Sequence, residues 1–539
     1  MLDALNKILY NLQFGNHQAK VEKYLNEATT VWTKASLKHH IKSNHPSIII
    51  TEPTINLLWR CFQFHAYHPF PRHDVHQIHE SAFQRAFMLL ALRGTDILGT
   101  EDGGDYFWRN DTDFFHDADF RRILRSISHA SAQNESRPGI SMSVINDAMD
   151  VLATTQPHMV TLAPSPDLLE SAAGRLLESV PVRDELRADD FSILLALLLQ
   201  LRVHKQTWRM NLHFGEFDQG PRCEELARTI TTGIFVQGNL NSDTYYKVID
   251  VLPSLRAQFY QLWAVLFQPA KRKEESQSNA SLAADVIPNV ILQTISLLTP
   301  QPSVSRHSPS ISNDEGSVFH ISTQQLTAPG DVTITHLLKY LMDDTKHPHV
   351  VLFVNNASSS VFGAYFPVPL SQKGKIGRGH FLFQLAPQFR LLQWTSQPIP
   401  LADLITVHGS NSVLLDTIRA GEMLPSTPYR IGDPGEQGNS GSLWINPGTR
   451  SIQLTRQFPN SGRYKALCGT GREVSVDGKE SSTEIDRLYI LRMSTFGIDK
   501  DFAFQNDIDN KYRAPSAQAG QFIRGAELKT RIQGFGSPL

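Results

Sequence analysis

The run His349-Val350-Val351-Leu352-Phe353-Val354, the connection Asn355 to Ser360, and the run Val361-Phe362-Gly363-Ala364-Tyr365-Phe366 decide how this chain is read. β-Branched and aromatic residues fill both runs, and a polar connection separates them, which predicts a hairpin with a six-residue loop. Gly363 either relieves close packing against a neighbouring backbone or marks a bulge, and Phe362 and Tyr365 fall on opposite faces. Packing is the ordinary role of such residues. Further β-like runs follow at His380 to Leu385, Phe389 to Trp394, Leu443 to Ile445, Ser451 to Leu454 and Arg487 to Met493. One helix precedes them, with Ile334, Leu337, Leu338 and Leu341 on a single stripe behind a Thr333 cap. The chain after about Val318 is therefore expected to be α+β, a sheet packed on helices.

Working back toward the start, the pattern changes to three- and four-residue spacing. Phe83, Phe87, Leu90 and Ala91 form one stripe, Ile123, Leu124 and Ile127 a second, and Leu255, Phe259, Leu262, Trp263 and Leu266 a third. Residues 1–269 are expected to be an all-α region of many short helices, as one domain or as two with a seam at 153–166. Asp189 and Asp190 are expected to cap a core helix over Phe191 to Leu201, an apolar run much shorter than the roughly 20 residues that cross a bilayer. Residues 270–285 read as a polar linker, and Val286 to Leu298 as a helix of the C-terminal unit, 286–498. That unit carries a Ser/Pro-rich insert at 300–317, expected to be mobile like the linker, and 499–539 read as a loosely held tail.

The chain has 539 residues, with Lys+Arg 51 against Asp+Glu 53 and a formal charge of −2. That balance argues against a nucleic-acid-coating protein. Cys61, Cys223 and Cys468 form no C-x-x-C pair, which points away from a disulfide framework or a thiolate zinc site and toward a reducing, intracellular compartment. The opening residues show no export signal or lipid anchor.

The order of motifs from roughly Ser317 to Gly497 resembles the TLDc domain of the oxidation-resistance proteins. Asp331 to Met342 and His349 to Val354 stand where that family has its "dG-S-L" helix and first central strand. Val361-Phe362-Gly363-Ala364-Tyr365 is similar to its V-F-G-A-Y/F strand, and Phe381, Phe383 and Pro387 fall in a segment similar to "S-F-L-F-x-L-x-P". Gly438-Asn439-Ser440-Gly441-Ser442-Leu443-Trp444-Ile445 resembles the Gly-rich turn leading into "A-L-W-L". Arg487 to Gly497, with Phe496 and Gly497 matching, sits at the closing "E-V-W-G-F-G" strand.

That closing strand departs from the family. Its acidic residue is Arg492 here, its Trp and first Gly are Ser494 and Thr495, and Asn446-Pro447-Gly448 replaces an acidic loop. The residues that specify the fold remain, while the family's surface-dependent activity is put in question. The resemblance implies a β-sandwich with flanking helices and protein binding without a cofactor. It also implies a link to oxidative-stress resistance and docking on cytosolic subunits of the vacuolar proton pump (V-ATPase), with a cytoplasmic location at the vacuole or lysosome. The helical region before the domain resembles the fungal restriction-of-telomere-capping branch. Trp444 would be a partner anchor if it points outward, because aromatic anchors dominate interface energetics.

Three chemistries compete with that reading. Gly438-Asn439-Ser440-Gly441-Ser442 resembles the G-[DN]-S-G-[GS] loop of serine proteases, so the alternative is a serine hydrolase using Ser440. His336 or His349 would be its base, and Asp343 or Asp344 the orienting carboxylate. Glycine and serine in a turn are also ordinary turn chemistry. His65, His68, His73, His76 and His79, with Asp74 and Glu80, could offer metal ligands. Pro69 and Pro71 interrupt them, and His73, His76 and His79 drift around a helix instead of holding i, i+4 geometry, so partly exposed helix histidines are expected. Asp111, Asp113, Asp117 and Asp119 suggest a calcium loop, but His116 and Arg122 stand where Gly and Glu are needed, leaving them to cap a helix from Ala118. No nucleotide-binding loop follows a strand, and Lys271-Arg272-Lys273 is answered by Glu274-Glu275.

Overall fold

A computed structural model describes residues 31–68, 75–92, 113–130, 183–203, 215–267, 287–300, 319–322, 332–343, 348–407, 427–433, 441–455, 463–468 and 483–495, apart from interruptions at 219, 221, 236–237, 241–244, 356–358, 368–374 and 377–378. The expected seam, linker and tail lie outside the described residues, as does the insert beyond Pro300.

The first part is built from β1 (Val31–Thr33), α1 (Lys34–Asn44), α2 (Glu52–Tyr67), β2 (Gln77–His79) and α3 (Glu80–Phe87), which runs into a π-helical turn at Met88–Leu92. Then come α4 (Asp113–Ile127), β3 (His129–Ala130), β4 (Arg183–Glu185), α5 (Ala188–Leu199), β5 (Leu201–Val203) and β6 (Gly215–Phe217). α6 (Cys223–Ile234), α7 (Tyr246–Val251), α8 (Leu255–Leu266) and α9 (Asn289–Leu298) complete it. Thr33 and Thr51 cap α1 and α2 by accepting from the backbone N–H groups of Ser36 and Thr54. Every residue of α8 except Arg256 is buried, and α4, α5 and the π-helical turn at Met88–Leu92 pack against it. Trp32, Phe62, Phe83 and Phe267 cluster beside it, with the Trp32 and Phe83 ring centroids 4.4 Å apart.

This region is not all-α as expected. Antiparallel ribbons β1–β2, β3–β4 and β5–β6 join its helices, and strands of two or three residues are too short to show a period in sequence. Asp189 and Asp190 do not cap α5 either. The N-cap is Arg187, and the two carboxylates lie in the first turn, where they favour the positive end of the helix dipole. The helix expected from Ala118 begins at Asp113.

The second part contains β7 (Phe319–Ser322), α10 (Ile334–Asp343), β8 (His349–Asn355), β9 (Ser360–Phe366), β10 (Lys375–Ile376), β11 (Phe381–Ala386), β12 (Arg390–Trp394), β13 (Ile399–Pro400) and α11 (Leu401–Leu404). β14 (Ile405–Val407), β15 (Tyr429–Gly432), β16 (Ser442–Asn446), β17 (Ser451–Thr455), β18 (Tyr464–Cys468), β19 (Thr483–Glu484) and β20 (Arg487–Thr495) follow. A seven-stranded antiparallel sheet has the order β18-β12-β11-β9-β8-β20-β7, a five-stranded one has the order β14-β15-β16-β17-β19, and β10 pairs with β13. The expected hairpin is β8–β9, but Asn355 pairs with Ser360, so its loop is four residues and not six. Thr333 caps α10, its hydroxyl accepting from the His336 N–H.

The two sheets share one hydrophobic core. Val351, Phe353, Phe362, Ala364 and Leu382 of the larger sheet meet Tyr429, Ile431, Leu443, Ile445 and Ile452 of the smaller, and α10 adds Leu337, Leu338 and Leu341. Val350, Leu352, Tyr365, Phe381, Phe383 and Leu391 on the opposite face of the larger sheet are buried too. Helices of the first part lie there, α6 against β11, α7 against β18 and α9 against β7. At Gly233 of α6 an added Cβ would stand 2.8 Å from Phe389 Cδ1, so helix and sheet are in direct contact. The elements up to Thr495 form one compact unit.

Among the described residues, no helix is long and apolar enough to cross a membrane. Cys61, Cys223 and Cys468 are buried, and none of the three forms a disulfide.

Candidate functional site

The loop bearing Ser440 joins β15 to β16. Gly438, Asn439 and Ser440 lie outside the described residues, but both ends of the loop are defined. Gly432 has φ +141°, a value that suits glycine, and a Cβ there would meet the Gly441 carbonyl oxygen at 2.6 Å. The Asp433 N–H donates to that same oxygen over 3.3 Å, which pinches the loop shut at its base. Gly441 packs on Leu392 and Tyr464.

Below the pinch is a polar group that sequence reading did not assemble. His380 is fully buried, and its Nδ1 donates to the Tyr365 carbonyl over 2.5 Å. Its Nε2 therefore accepts from the Tyr464 hydroxyl over 2.9 Å, which fixes one neutral tautomer. Burial drives the His380 pKa down to about 4 and the Tyr464 phenol well above its usual value. The Trp394 indole N–H donates to the Ser396 carbonyl over 2.9 Å, and the Arg463 guanidinium lies 5.9 Å from the Trp394 ring centroid. Arg463 Nε is 3.5 Å from the carboxylate of Asp433, which is buried. Both nitrogens of His380 are occupied, so this imidazole ties β9 to β18 and holds no proton acceptor toward the loop.

The histidines proposed as bases sit otherwise engaged. His336 Nδ1 lies 2.9 Å from the hydroxyl of Thr333, the cap of its own helix, and His349 is fully buried in β8. The Asp343 side chain and Asp344 lie outside the described residues.

The histidine-rich stretch does not form the helix expected of it. His65 and His68 are buried at the end of α2, whereas His76 and His79 are exposed at β2, because Gln77–His79 pairs with Val31–Thr33 as a strand. His73 lies outside the described residues. Among the described residues, no group of three His, Cys, Asp or Glu side chains is placed to hold a metal ion.

The remaining motif residues separate into framework and surface. Phe362, Tyr365, Phe381, Phe383 and Leu443 are buried. Gly363 pairs with Leu352 and Phe383, the register shift of β9 against β11 falling at Gln384 and Ala386 on the partner strand, and an added Cβ would stand 2.4 Å from Phe383 Cζ and 2.5 Å from the Val351 carbonyl oxygen. Close packing, and not a bulge, is its role. Trp444 differs. Its neighbours Leu443 and Ile445 point into the shared core, so period-two alternation turns Trp444 to the opposite face, where it is half-buried. There it lies in register with Arg430 on one side and Gln453 on the other. Arg430 Nε donates to Thr406 Oγ1 over 3.4 Å, which extends the row across four strands.

No protein-family model and no curated protein matches this chain. Arg492, Ser494 and Thr495 are placed by register alone: Arg492 stands between His349 and Ser322, and Ser494 and Thr495 pair with His320 and Phe319. Phe496 and Gly497 lie outside the described residues. A cavity of about 270 Å³ opens where Ile249, Pro253 and Leu298 face Phe381, Leu391 and Leu467, with Asp250 and Gln393 as polar groups on its lining.

The row on the smaller sheet has one sequence signal, the large aromatic at an alternating position. The His380–Tyr464 pair has none, since 84 residues separate its members.

Proposed function

We propose that this chain is a non-enzymatic interaction protein whose second part is a TLDc-type module. It presents the outer face of the five-stranded sheet to a protein partner, the cytosolic sector of the V-ATPase, at the cytoplasmic side of the vacuole or lysosome. In this reading the chain supports resistance to oxidative stress by regulating that pump.

One observation carries the proposal: Trp444 is turned away from the core beside Arg430, while the other described motif residues are spent on packing. Large aromatics and arginines are the residue types that anchor interfaces. Two antiparallel sheets on one core, with the Val361 to Tyr365 strand beside the Phe381 to Leu385 strand, suit the sandwich that the resemblance implies.

The test is affinity capture with the full chain from vacuole-bearing cells. V-ATPase cytosolic subunits should be retained by the wild type and lost with Trp444→Ala; capture of none by the wild type refutes the pump as partner. A fluorophosphonate probe tests the hydrolase. Labelling that disappears in Ser440→Ala would replace this proposal with a serine hydrolase.

A further inference from the structure

Three side chains from separate elements of the first part meet at one imidazole nitrogen. Arg60 stands in α2, Asp190 in the first turn of α5, and His129 opens β3. Arg60 Nη2 donates to Asp190 Oδ1 over 2.7 Å, while Arg60 Nη1 and Asp190 Oδ2 each lie 2.6 Å from His129 Nε2. All three side chains are half-buried, so solvent protons reach the ring. Arg187 is a further cation acting on it, and Asp189 adjoins Asp190 in α5. Glu185 stands across from His129 in β4, its carboxylate 2.8 Å from Asn239 Nδ2 and 3.8 Å from Arg187 Nε. Arg183 of the same ribbon pairs with Ala130, and Arg125 lies in the last turn of α4.

The two close partners make opposite demands on Nε2. A guanidinium only donates and a carboxylate only accepts, whereas an imidazole nitrogen carries either one lone pair or one proton. An unprotonated Nε2 accepts from Arg60 and turns its lone pair on Asp190; a protonated one donates to Asp190 and turns its N–H on Arg60. Burial, and then the Arg60 charge, hold the His129 pKa below its ordinary 6.5 against the pull of Asp190, so the ring is neutral at pH 7. We propose that His129 is a pH-operated latch: its neutral ring ties β3 to α2 through Arg60, and its protonated ring lets Arg60 go and ties β3 to α5 through Asp190. The bond between Arg60 and Asp190 persists in both states, so the two helices stay joined while the base of the β3–β4 ribbon changes partner. The latch is independent of the partner-binding reading, since it uses no residue of either large sheet.

The experiment uses the full chain with isotope-labelled histidine rings, followed by NMR between about pH 8 and about pH 5, the interval in which histidines titrate. His129→Gln identifies the His129 signals by their loss. In the wild type at the upper end, Nδ1 should carry the hydrogen and Nε2 none; acid should place a hydrogen-bonded proton on Nε2, with a midpoint below 6.5. Arg60→Met removes the donor and keeps an unbranched stem, so the neutral ring should move its hydrogen to Nε2 and the midpoint should rise. Asp190→Asn removes the carboxylate, so the midpoint should fall below that of the wild type while the neutral tautomer stays the same. An imidazole held only by packing would shift its midpoint with burial but would not exchange tautomers. A wild-type neutral ring with its hydrogen on Nε2, an unchanged tautomer in Arg60→Met, or a rising midpoint in Asp190→Asn overturns the proposal. Should Arg60→Met not fold, the wild-type tautomer and the direction of the Asp190→Asn shift decide.

Discussion

The two large sheets share a core but use their second faces in opposite ways. In the seven-stranded sheet β8 and β9 are buried at every position, because the smaller sheet covers one face and helices α6, α7 and α9 lie on the other side. In the five-stranded sheet β17 alternates between buried and half-buried residues along its whole length. The first arrangement leaves almost no side chain for outside contact, and the second spares every other one. In the proposed reading, framework and recognition are divided between the sheets, with Leu443 facing the core and its neighbour Trp444 facing away from it.

The division breaks most severely at Gly363. A side chain there enters the space of Phe383 and the Val351 carbonyl oxygen, so Gly363→Val should cost about 3 kcal/mol of unfolding free energy, measured as a fall in urea midpoint. A loss under about 1 kcal/mol would mean that the doubly covered sheet tolerates movement and is not the rigid member of the pair.

The same contrast explains what the sequence made legible. Strands buried on both faces appear as continuous apolar runs, and those at Val350 to Val354 and Val361 to Phe366 were read almost to their observed ends. β14 and β15 were not read, because Ile405-Thr406-Val407 and Tyr429-Arg430-Ile431-Gly432 offer only three or four residues, with a polar side chain between the apolar ones. Their inward residues do core work all the same. At the site, Trp444 could be singled out because its neighbours in the chain set its direction, whereas the bond between His380 and Tyr464 depends on strands brought together only by folding.

Acid should sharpen the comparison next. His380 titrates at about 4 in the folded chain and near 6.5 when unfolded, so the unfolded state binds more protons between those values. Its neutral, doubly bonded form contributes stability that is present above pH 6.5 and is lost as pH falls toward about 4. The share lost between pH 7 and pH 5 is about 2 kcal/mol. His380→Gln should flatten the pH dependence of chemical unfolding by that amount. His40 in the helical part is likewise lowered to about 4, mainly by burial, so His40→Gln should remove a separate portion over the same interval. If neither variant changes the slope, buried imidazoles do not set the acid limit of either part.

A milder perturbation separates loop from strand. At Gly441 an added Cβ would stand 3.0 Å from Leu392 Cδ1 and 3.1 Å from Tyr464 Cβ, contacts with side chains that can shift by a few tenths of an ångström. Gly441→Ala should therefore cost about 1 kcal/mol, well below Gly363→Val. Equal losses at the two glycines would show that the pinched base of the Ser440 loop is as unyielding as the centre of the larger sheet.

The smallest expected change in stability is the most informative about function. Trp444 is half-buried on the face opposite the core, between Arg430 and Gln453, so Trp444→Ala removes surface packing without opening a cavity between the sheets. Its cost should stay near or below about 1 kcal/mol, while Leu443→Ala, one residue earlier and fully buried, should cost about 3 kcal/mol. Partner capture should reverse that order. Leu443→Ala, assayed at a temperature where it stays folded, should retain most binding because its surface is intact, whereas Trp444→Ala should lose it at least tenfold, the effect of removing an interface anchor worth about 1.4 kcal/mol or more. If both variants weaken binding only in proportion to their stability, the outer face of the smaller sheet is scaffold like the rest and the partner engages another surface.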